Sequence, residues 1–265
     1  MEITLATWNI NSVRLRVDLV ERFLRDEGPE ILCLQETKSP VEKIPVERFE
    51  ALGYAHLAAR GEKGYNGVAI LSKLPLAPVA HRDFCQRGDA RHVAARLPDG
   101  TVVHNLYVPA GGDEPSRSKA KFAHKLDFVA EMAAWGQDLA GTQILVGDLN
   151  IAPLENDVWS HSQMLKVVSH TPEEVALLSA AQGAGGWTDV TRRDVPAEEK
   201  LYSWWSYRAR DWALSDRGRR LDHIWHRQDG PGASPVPGSS RVLKAWRGAE
   251  KPSDHVPVLA RFTLG

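Results

Sequence analysis

Apolar positions along the chain follow two rhythms. From Ile3 to Trp8 apolar and polar residues alternate, the period of a half-buried strand. Val13, Val17, Val20 and Leu24 recur at helical spacing and predict a helix that Gly28-Pro29 ends. Glu30 to Leu34 predicts a second strand, delivering Gln35-Glu36-Thr37-Lys38 at its C-terminal end. A short helix is expected from Phe49 to Leu52, and strands from Tyr54 to Leu57 and Val68 to Leu71, with Asn66-Gly67 as a hairpin turn before the latter. His92 to Leu97 and Thr101 to Val108 read as a hairpin about Pro98-Asp99-Gly100.

The second half repeats the plan. Phe122, Leu126, Val129 and Ala133 form the buried stripe of a long helix, whose Lys119, Lys121 and Lys125 read as a solvated face. Ile144 to Val146 predicts a buried strand, after which Gly147 lets the chain turn. Thr171-Pro172-Glu173-Glu174 has the form of a helix start. Leu201 to Tyr207, Arg220 to His226, Arg241 to Trp246 and Val256 to Phe262 predict further strands, and Asp229 to Ser240, rich in Gly, Pro and Ser, a mobile loop. Each half runs strand, helix, strand, then a series of strands. That predicts an α/β fold of two sheets packed face to face with helices outside. No long linker separates Val108 from Ser116, so residues 1–265 are expected to form a single domain.

Composition narrows this little. Lys and Arg number 33 against 34 Asp and Glu, so nucleic-acid binding would rest on local patches rather than net charge. The two cysteines make no zinc pattern and fit a reducing cytoplasm. No apolar run is long enough to cross a bilayer, and no signal peptide is visible.

The candidate chemistry sits where strands end. Asn9, Glu36, Asp148 with Asn150, Asp222, and Asp254 with His255 each lie at or beside such an end. If those ends converge, several carboxylates crowd together and raise one another's pKa unless a cation neutralises them. A hard divalent ion, Mg²⁺ or Mn²⁺, suits oxygen ligands. Asp148 and Asn150, two apart, present a carboxylate and an amide on one face of an extended segment. The bland alternative is that they only close a turn. Between Trp204 and Arg220, Arg208, Arg210, Arg217, Arg219 and Arg220 interleave with Trp204, Trp205, Tyr207 and Trp212. That mixture suits a phosphate backbone and stacked bases, although Trp205 and Trp212 serve equally well as core.

Thr7-Trp8-Asn9-Ile10, Leu34 to Lys38, Tyr107-Val108-Pro109, Gly147 to Asn150, Arg220-Leu221-Asp222 and Ser253-Asp254-His255 occur in this order over the whole chain. The set resembles the exonuclease III family, relatives of the apurinic/apyrimidinic endonucleases. The resemblance implies a four-layer α/β sandwich of the deoxyribonuclease I kind, two packed mixed sheets flanked by helices. It implies Mg²⁺-dependent (or Mn²⁺-dependent) hydrolysis of DNA phosphodiesters, 5′ to abasic sites and at 3′ ends of duplex DNA, by a monomer. Carried over residue by residue, Glu36 is the principal metal ligand, with Asn9 beside it and Asp148, Asn150, Asp254 and His255 around the ion. Asp148 aligns and deprotonates the attacking water, and Asn150 positions Asp148 and the phosphate. Asp222 orients His255, which holds a phosphate oxygen, and Tyr107 contacts the scissile phosphate or leaving oxygen. Asn66, Trp204, Arg208, Arg219 and Leu221 are the expected DNA contacts, with Trp204 and Leu221 walling a pocket.

Four departures bear on the substrate. Asn11 stands where some relatives have an acid, Ala110 follows Tyr-Val-Pro in place of an amide, and Arg219 replaces an apolar pocket residue in some relatives. Val158 to Gln163 replaces a more Gly- and Asn-rich loop, so Trp159 or His161 is expected to narrow the site. The competing functions are a 3′-exonuclease or 3′-phosphodiesterase with little abasic-site activity, a small-phosphoester phosphatase, and a DNA-binding module with an inactive site.

Overall fold

The last strand of the chain returns to lie beside the first. A computed structural model describes residues 1–265 and contains fifteen strands. The first five are β1 (Glu2–Asn9), β2 (Ile31–Gln35), β3 (His56–Glu62), β4 (Tyr65–Ser72) and β5 (Ala77–Val79). Next come β6 (His92–Arg96), β7 (Val102–Tyr107), β8 (Gln143–Asp148), β9 (Thr188–Asp189) and β10 (Trp204–Trp205). The last are β11 (Gly218–Arg219), β12 (Asp222–Arg227), β13 (Ser234–Pro235), β14 (Arg241–Val242) and β15 (Val258–Thr263). The helices are α1 (Val17–Asp26), α2 (Val46–Glu50), α3 (Ala120–Gln137), α4 (His161–Met164), α5 (Pro172–Ala184), α6 (Val190–Asp194) and α7 (Trp212–Ser215).

One mixed sheet has the order β13-β15-β1-β2-β4-β3, with β14 also on β15; the other runs β5-β6-β7-β8-β12-β9. Alternation decides how they pack. Ile3, Leu5, Ile31, Val68 and Ile70 of the first sheet meet Val93, Val103, Ile144, Val146 and Ile224 of the second in one buried layer. The opposite face of the first sheet buries Ala6, Trp8, Leu32 and Leu34 against Val20, Phe23 and Leu24 of α1. Leu106 and Leu145 of the second bury against Phe128, Val129 and Met132 of α3 and Leu178 of α5. The result is the expected four-layer α/β sandwich. Strands buried on both faces read as near-continuous apolar runs, which is why Ile31 to Leu34 and Ile144 to Val146 show no alternation.

Several expectations are corrected. The hairpin turn before β4 is Lys63-Gly64, while Asn66 and Gly67 lie within β4 at positive φ (41° and 95°). Gly67 is there for close approach, since a Cβ would meet the Thr37 hydroxyl. Gly147 does not turn the chain either: it sits inside β8 at φ 144°, where a Cβ would run into the Leu106 carbonyl. The 229–240 segment contains β13, paired with β15, and the strand expected from Arg241 gives way after Val242 to a tight helical turn over Lys244–Gly248. From Leu201 to Tyr207 only β10 is strand.

Most consequential is α3. Lys125 is fully buried rather than solvated, with its Nζ 2.5 Å from Glu174 of α5. The same Nζ donates to the carbonyls of Asn150 (2.8 Å) and Ala110 (3.3 Å). Glu174 in turn accepts from the Ser169 and Thr171 backbone N–H groups and the Thr171 hydroxyl, completing the capping box expected at Thr171. One buried ion pair thereby ties together three segments that edge the site.

Candidate active site

Strand register assembles the centre. Asp148 is the last residue of β8; its parallel neighbour on β7 is Tyr107, and its antiparallel neighbour on β12 is Asp222. On the other sheet, Asn9 ends β1 opposite Gln35 of β2, so Glu36 emerges one step beyond. The Asn9 amide bridges the sheets, its Nδ2 donating to Glu36 Oε1 and Asp148 Oδ2, both at 2.9 Å. His255, just before β15, pairs with Trp204 through an isolated bridge, and its carbonyl accepts from the Trp8 indole at 3.0 Å. The acids of both halves therefore share one centre.

Backbone strain is concentrated there. Asn11, Glu36 and Asn150 all adopt positive φ, at 47°, 49° and 54°. Such conformations cost free energy and persist where surrounding contacts over-determine them. Asn150 is consequently not extended. Its N–H and Nδ2 donate to the two Asp148 oxygens at 2.9 and 3.1 Å, while Nδ2 also donates to the Val108 carbonyl. The turn and the constellation are thus the same object.

His255 Nδ1 lies 2.8 Å from Asp222 Oδ2, and its Nε2 faces Asp148 Oδ2 at 3.6 Å. Burial works against a charged imidazole, but Asp222 and Asp148 outweigh it and raise His255 to about 10. Burial pushes Asp148 up to about 7, opposed by His255 and assisted by Asp222. The centre therefore pairs a cationic donor with a carboxylate that readily takes a proton. Around Glu36, burial pushes the carboxyl up. The Lys38 ammonium at 2.7 Å, with hydrogen bonds from Asn9, Lys38 and Tyr107, outweighs it and holds Glu36 below the usual range. The Tyr107 hydroxyl donates to Glu36 Oε1 at 2.8 Å, and burial with Glu36 and Asp148 keeps it a phenol.

A cavity of about 290 Å³ opens onto this centre. Glu36, Asp148, Asn150, Asp254 and His255 line it, together with Trp204, Arg219 and Leu221. Asp254 is held by the Trp204 indole at 2.9 Å and the Asn11 amide at 3.3 Å; Asn11 also accepts from Lys38 at 2.6 Å. The donor set is oxygen-rich, and the cluster already draws in an ammonium, so Glu36 with Asp254 and Asp148 suits a hard divalent cation. Asp148, Asp222 and His255 also bring ligand atoms within 4.8 Å of one another. There the imidazolium lies against both carboxylates; at Glu36 the Lys38 ammonium takes the equivalent place.

Not every expected residue joins. Asn66 is buried, its Nδ2 donating to Glu62 at 2.7 Å, so it offers DNA no surface. Arg208 is exposed but outside the cavity. The arginine patch shrinks to Arg208, Arg210 and Arg217 on the surface, because Arg220 is buried in ion pairs with Asp157 (2.8 Å) and Asp189 (2.7 Å). Trp205 is core, and neither Trp159 nor His161 lines the cavity; Val167, Val168 and Ser169 do instead. Lys38 and Lys125 are the residues the sequence reading missed. Lys125 carried a signal, since it lies three residues after Phe122 and four before Val129, on the apolar face.

Residues 6–255 match the Endonuclease/Exonuclease/phosphatase family. The chain is 31% identical to exodeoxyribonuclease III of Haemophilus influenzae over 97% of its own length and 98% of that protein. Its fold superposes on an AP endonuclease from Archaeoglobus fulgidus with TM-score 0.87 at 30% identity, covering 97% of this chain and 98% of that one. A Neisseria 3′ phosphatase bound to a product DNA hairpin is similar at TM-score 0.86 and 29% identity, over 98% and 99% of the two chains. By fold, centre and sequence alike, the chain belongs to the Endonuclease/Exonuclease/phosphatase family and, within it, to the exonuclease III group.

Proposed function

We propose that this protein is a divalent-metal-dependent DNA repair nuclease that hydrolyses phosphodiesters 5′ to abasic sites and removes nucleotides or blocks from 3′ ends. The observation that carries this reading is the meeting of Glu36, Asp148 and His255 from three chain regions in one cavity. A pure DNA binder gains nothing from carboxylates facing phosphate.

The residues divide the work as follows. His255, kept cationic by Asp222, donates from Nε2 to a non-bridging phosphate oxygen and stabilises the charge that builds there. Asp148 takes the proton of the attacking water, which an imidazolium cannot do. Asn150 and Asn9 hold the Asp148 carboxylate in place. A cation bound at Glu36 and Asp254, Mg²⁺ or Mn²⁺, would polarise the phosphate and offset its repulsion of an anionic nucleophile. Tyr107 acts through its hydrogen bond to Glu36. Duplex DNA is the partner, its backbone meeting exposed Arg208, Arg210 and Arg217, and Trp204, Arg219 and Leu221 walling the pocket beyond the scissile phosphate.

We take residues 1–265 as one catalytic domain that acts as a monomer; the single domain is supported by the apolar layer that both sheets share. A cytoplasmic setting is supported by two unpaired cysteines and by the lack of any helix long and apolar enough to cross a membrane. One assay tests the function: duplexes carrying an abasic analogue or an undamaged recessed end, and a small phosphoester, each with Mg²⁺ and with EDTA. Metal-dependent cleavage of the DNA substrates is expected; activity on the small ester alone would overturn the reading.

A further inference from the structure

The wall of the cavity carries a charge that its neighbours do not balance. Arg219 lies half-buried on β11, with its guanidinium 4.9 Å from the centroid of the Trp204 ring. Its Nη1 donates to the Val168 carbonyl at 3.1 Å and the Ser169 hydroxyl at 3.0 Å, both neutral groups. Its Nε is buried without any partner. The carboxylate that acts on it from within the protein is Glu174, already engaged by Lys125. Asp113 stands on the exposed rim of the same cavity and forms no ion pair with it.

An uncompensated cation in a half-buried wall is costly, and an anionic ligand group relieves that cost. The same cavity holds Asp148, Asn150 and His255. A phosphate seated on those residues places its outer arm against Trp204, Arg219, Leu221 and Val168. A neutral deoxyribose there leaves the guanidinium unpaired. A short arm ending in a carboxylate supplies anionic oxygens for the Nη2 donors, which neither Val168 and Ser169 nor burial takes up.

We propose that Arg219 is a specificity-determining residue that selects 3′ phosphodiesters whose outer arm ends in a carboxylate over those whose arm is neutral. The inference rests on the nuclease reading and deepens it. In the reaction the oxygen of water bonds to phosphorus and its proton goes to Asp148. The P–O3′ bond breaks, and O3′ leaves and is protonated, giving a free 3′-hydroxyl and the released phosphate ester of the arm.

The test uses the full chain, Mg²⁺ and three duplexes. One ends in 3′-phosphoglycolate, one in the neutral isostere 3′-phospho-(2-hydroxyethyl), and one carries an internal tetrahydrofuran abasic analogue. Wild type is expected to favour the glycolate end over its isostere in kcat/KM by about 10- to 100-fold, the range of a charge-assisted hydrogen bond. R219L and R219Q should lose that preference, slowing on the glycolate end by about 10- to 100-fold more than on the neutral end or the abasic duplex. R219Q retains a donor for the Val168 carbonyl, so it serves if R219L does not fold. R219K should keep part of the preference. Equal cleavage of the two blocked ends by wild type, or parallel slowing of all three substrates by R219Q, overturns the role of Arg219. Failure of wild type to cleave any of the three overturns the nuclease reading itself.

Discussion

His255 Nδ1 and Asp222 Oδ2 stand 2.8 Å apart, both side chains buried, at a point where β12 meets the loop before β15. The pair fixes which face of the imidazole looks at Asp148 and keeps the ring charged. Asp222→Asn retains the shape but removes the charge. We predict that it lowers kcat by about 10²- to 10⁴-fold with little change in KM, because the lost interaction is strongest in the transition state. Steady-state kinetics on an abasic-analogue duplex check this; a change confined to KM would reassign Asp222 to substrate binding.

The Lys125–Glu174 pair makes a stability prediction of particular sign. Lys125→Met alone leaves the Glu174 carboxylate buried and unpaired, and should destabilise the fold by about 3–5 kcal/mol. The double variant K125M/E174M removes both charges and should be more stable than K125M. Urea unfolding of wild type, K125M, E174M and the double variant decides it, and additive losses would mean that the pair is not coupled.

Acid should weaken the fold through a buried histidine chain. His92 Nε2 meets His104 Nδ1 at 3.0 Å, and His104 Nε2 meets Gln143 at 2.9 Å. Burial lowers His104 to about 4 and His92 well below its usual value, with the neighbouring His104 assisting in His92. In the unfolded chain both titrate near 6.5, about the free imidazole value. Between those limits the unfolded state binds more protons, so stability is complete above the upper limit and falls as pH drops toward the lower. H104Q should flatten that slope in urea titrations; an unchanged slope would place the acid sensitivity elsewhere.

The arginines separate binding from folding. Arg208→Ala, on the surface, should weaken DNA binding and reduce the slope of log affinity against log salt by about 1, with no loss of thermal stability. Arg220→Met leaves Asp189 without its guanidinium partner and Asp157 with Arg192 alone, and should cost about 3 kcal/mol of stability, the low end for breaking a buried pair. Salt-dependent fluorescence anisotropy and thermal unfolding distinguish the two, and an unaltered salt slope for Arg208→Ala would remove it from the DNA path.

The fold was largely legible because burial imposes a period. The apolar runs around Leu32 and Val146 and the stripe of α3 mark their elements directly. The acids were legible as strand-end residues, and the strand registers bring Tyr107, Asp148 and Asp222 side by side. What stayed hidden depended on long-range pairing. Nothing local marks Arg220 as buried, since its partners lie 63 and 31 positions away. Lys125 read as solvated by residue type although its position lies on the apolar face. Asn66-Gly67 mimicked a hairpin turn because positive φ serves close packing as well as turning.

The central claim is that acids from both halves hold a cation with which Asp148 and His255 hydrolyse a phosphodiester. Single-turnover cleavage of an abasic-analogue duplex tests it most directly, for wild type and Asp148→Asn, each in Mg²⁺ and in EDTA, with DNA affinity measured alongside. Cleavage by wild type in Mg²⁺ only, and its loss in Asp148→Asn at near-unchanged affinity, is the predicted result. Cleavage that persists in EDTA, or turnover by Asp148→Asn close to wild type, would contradict it.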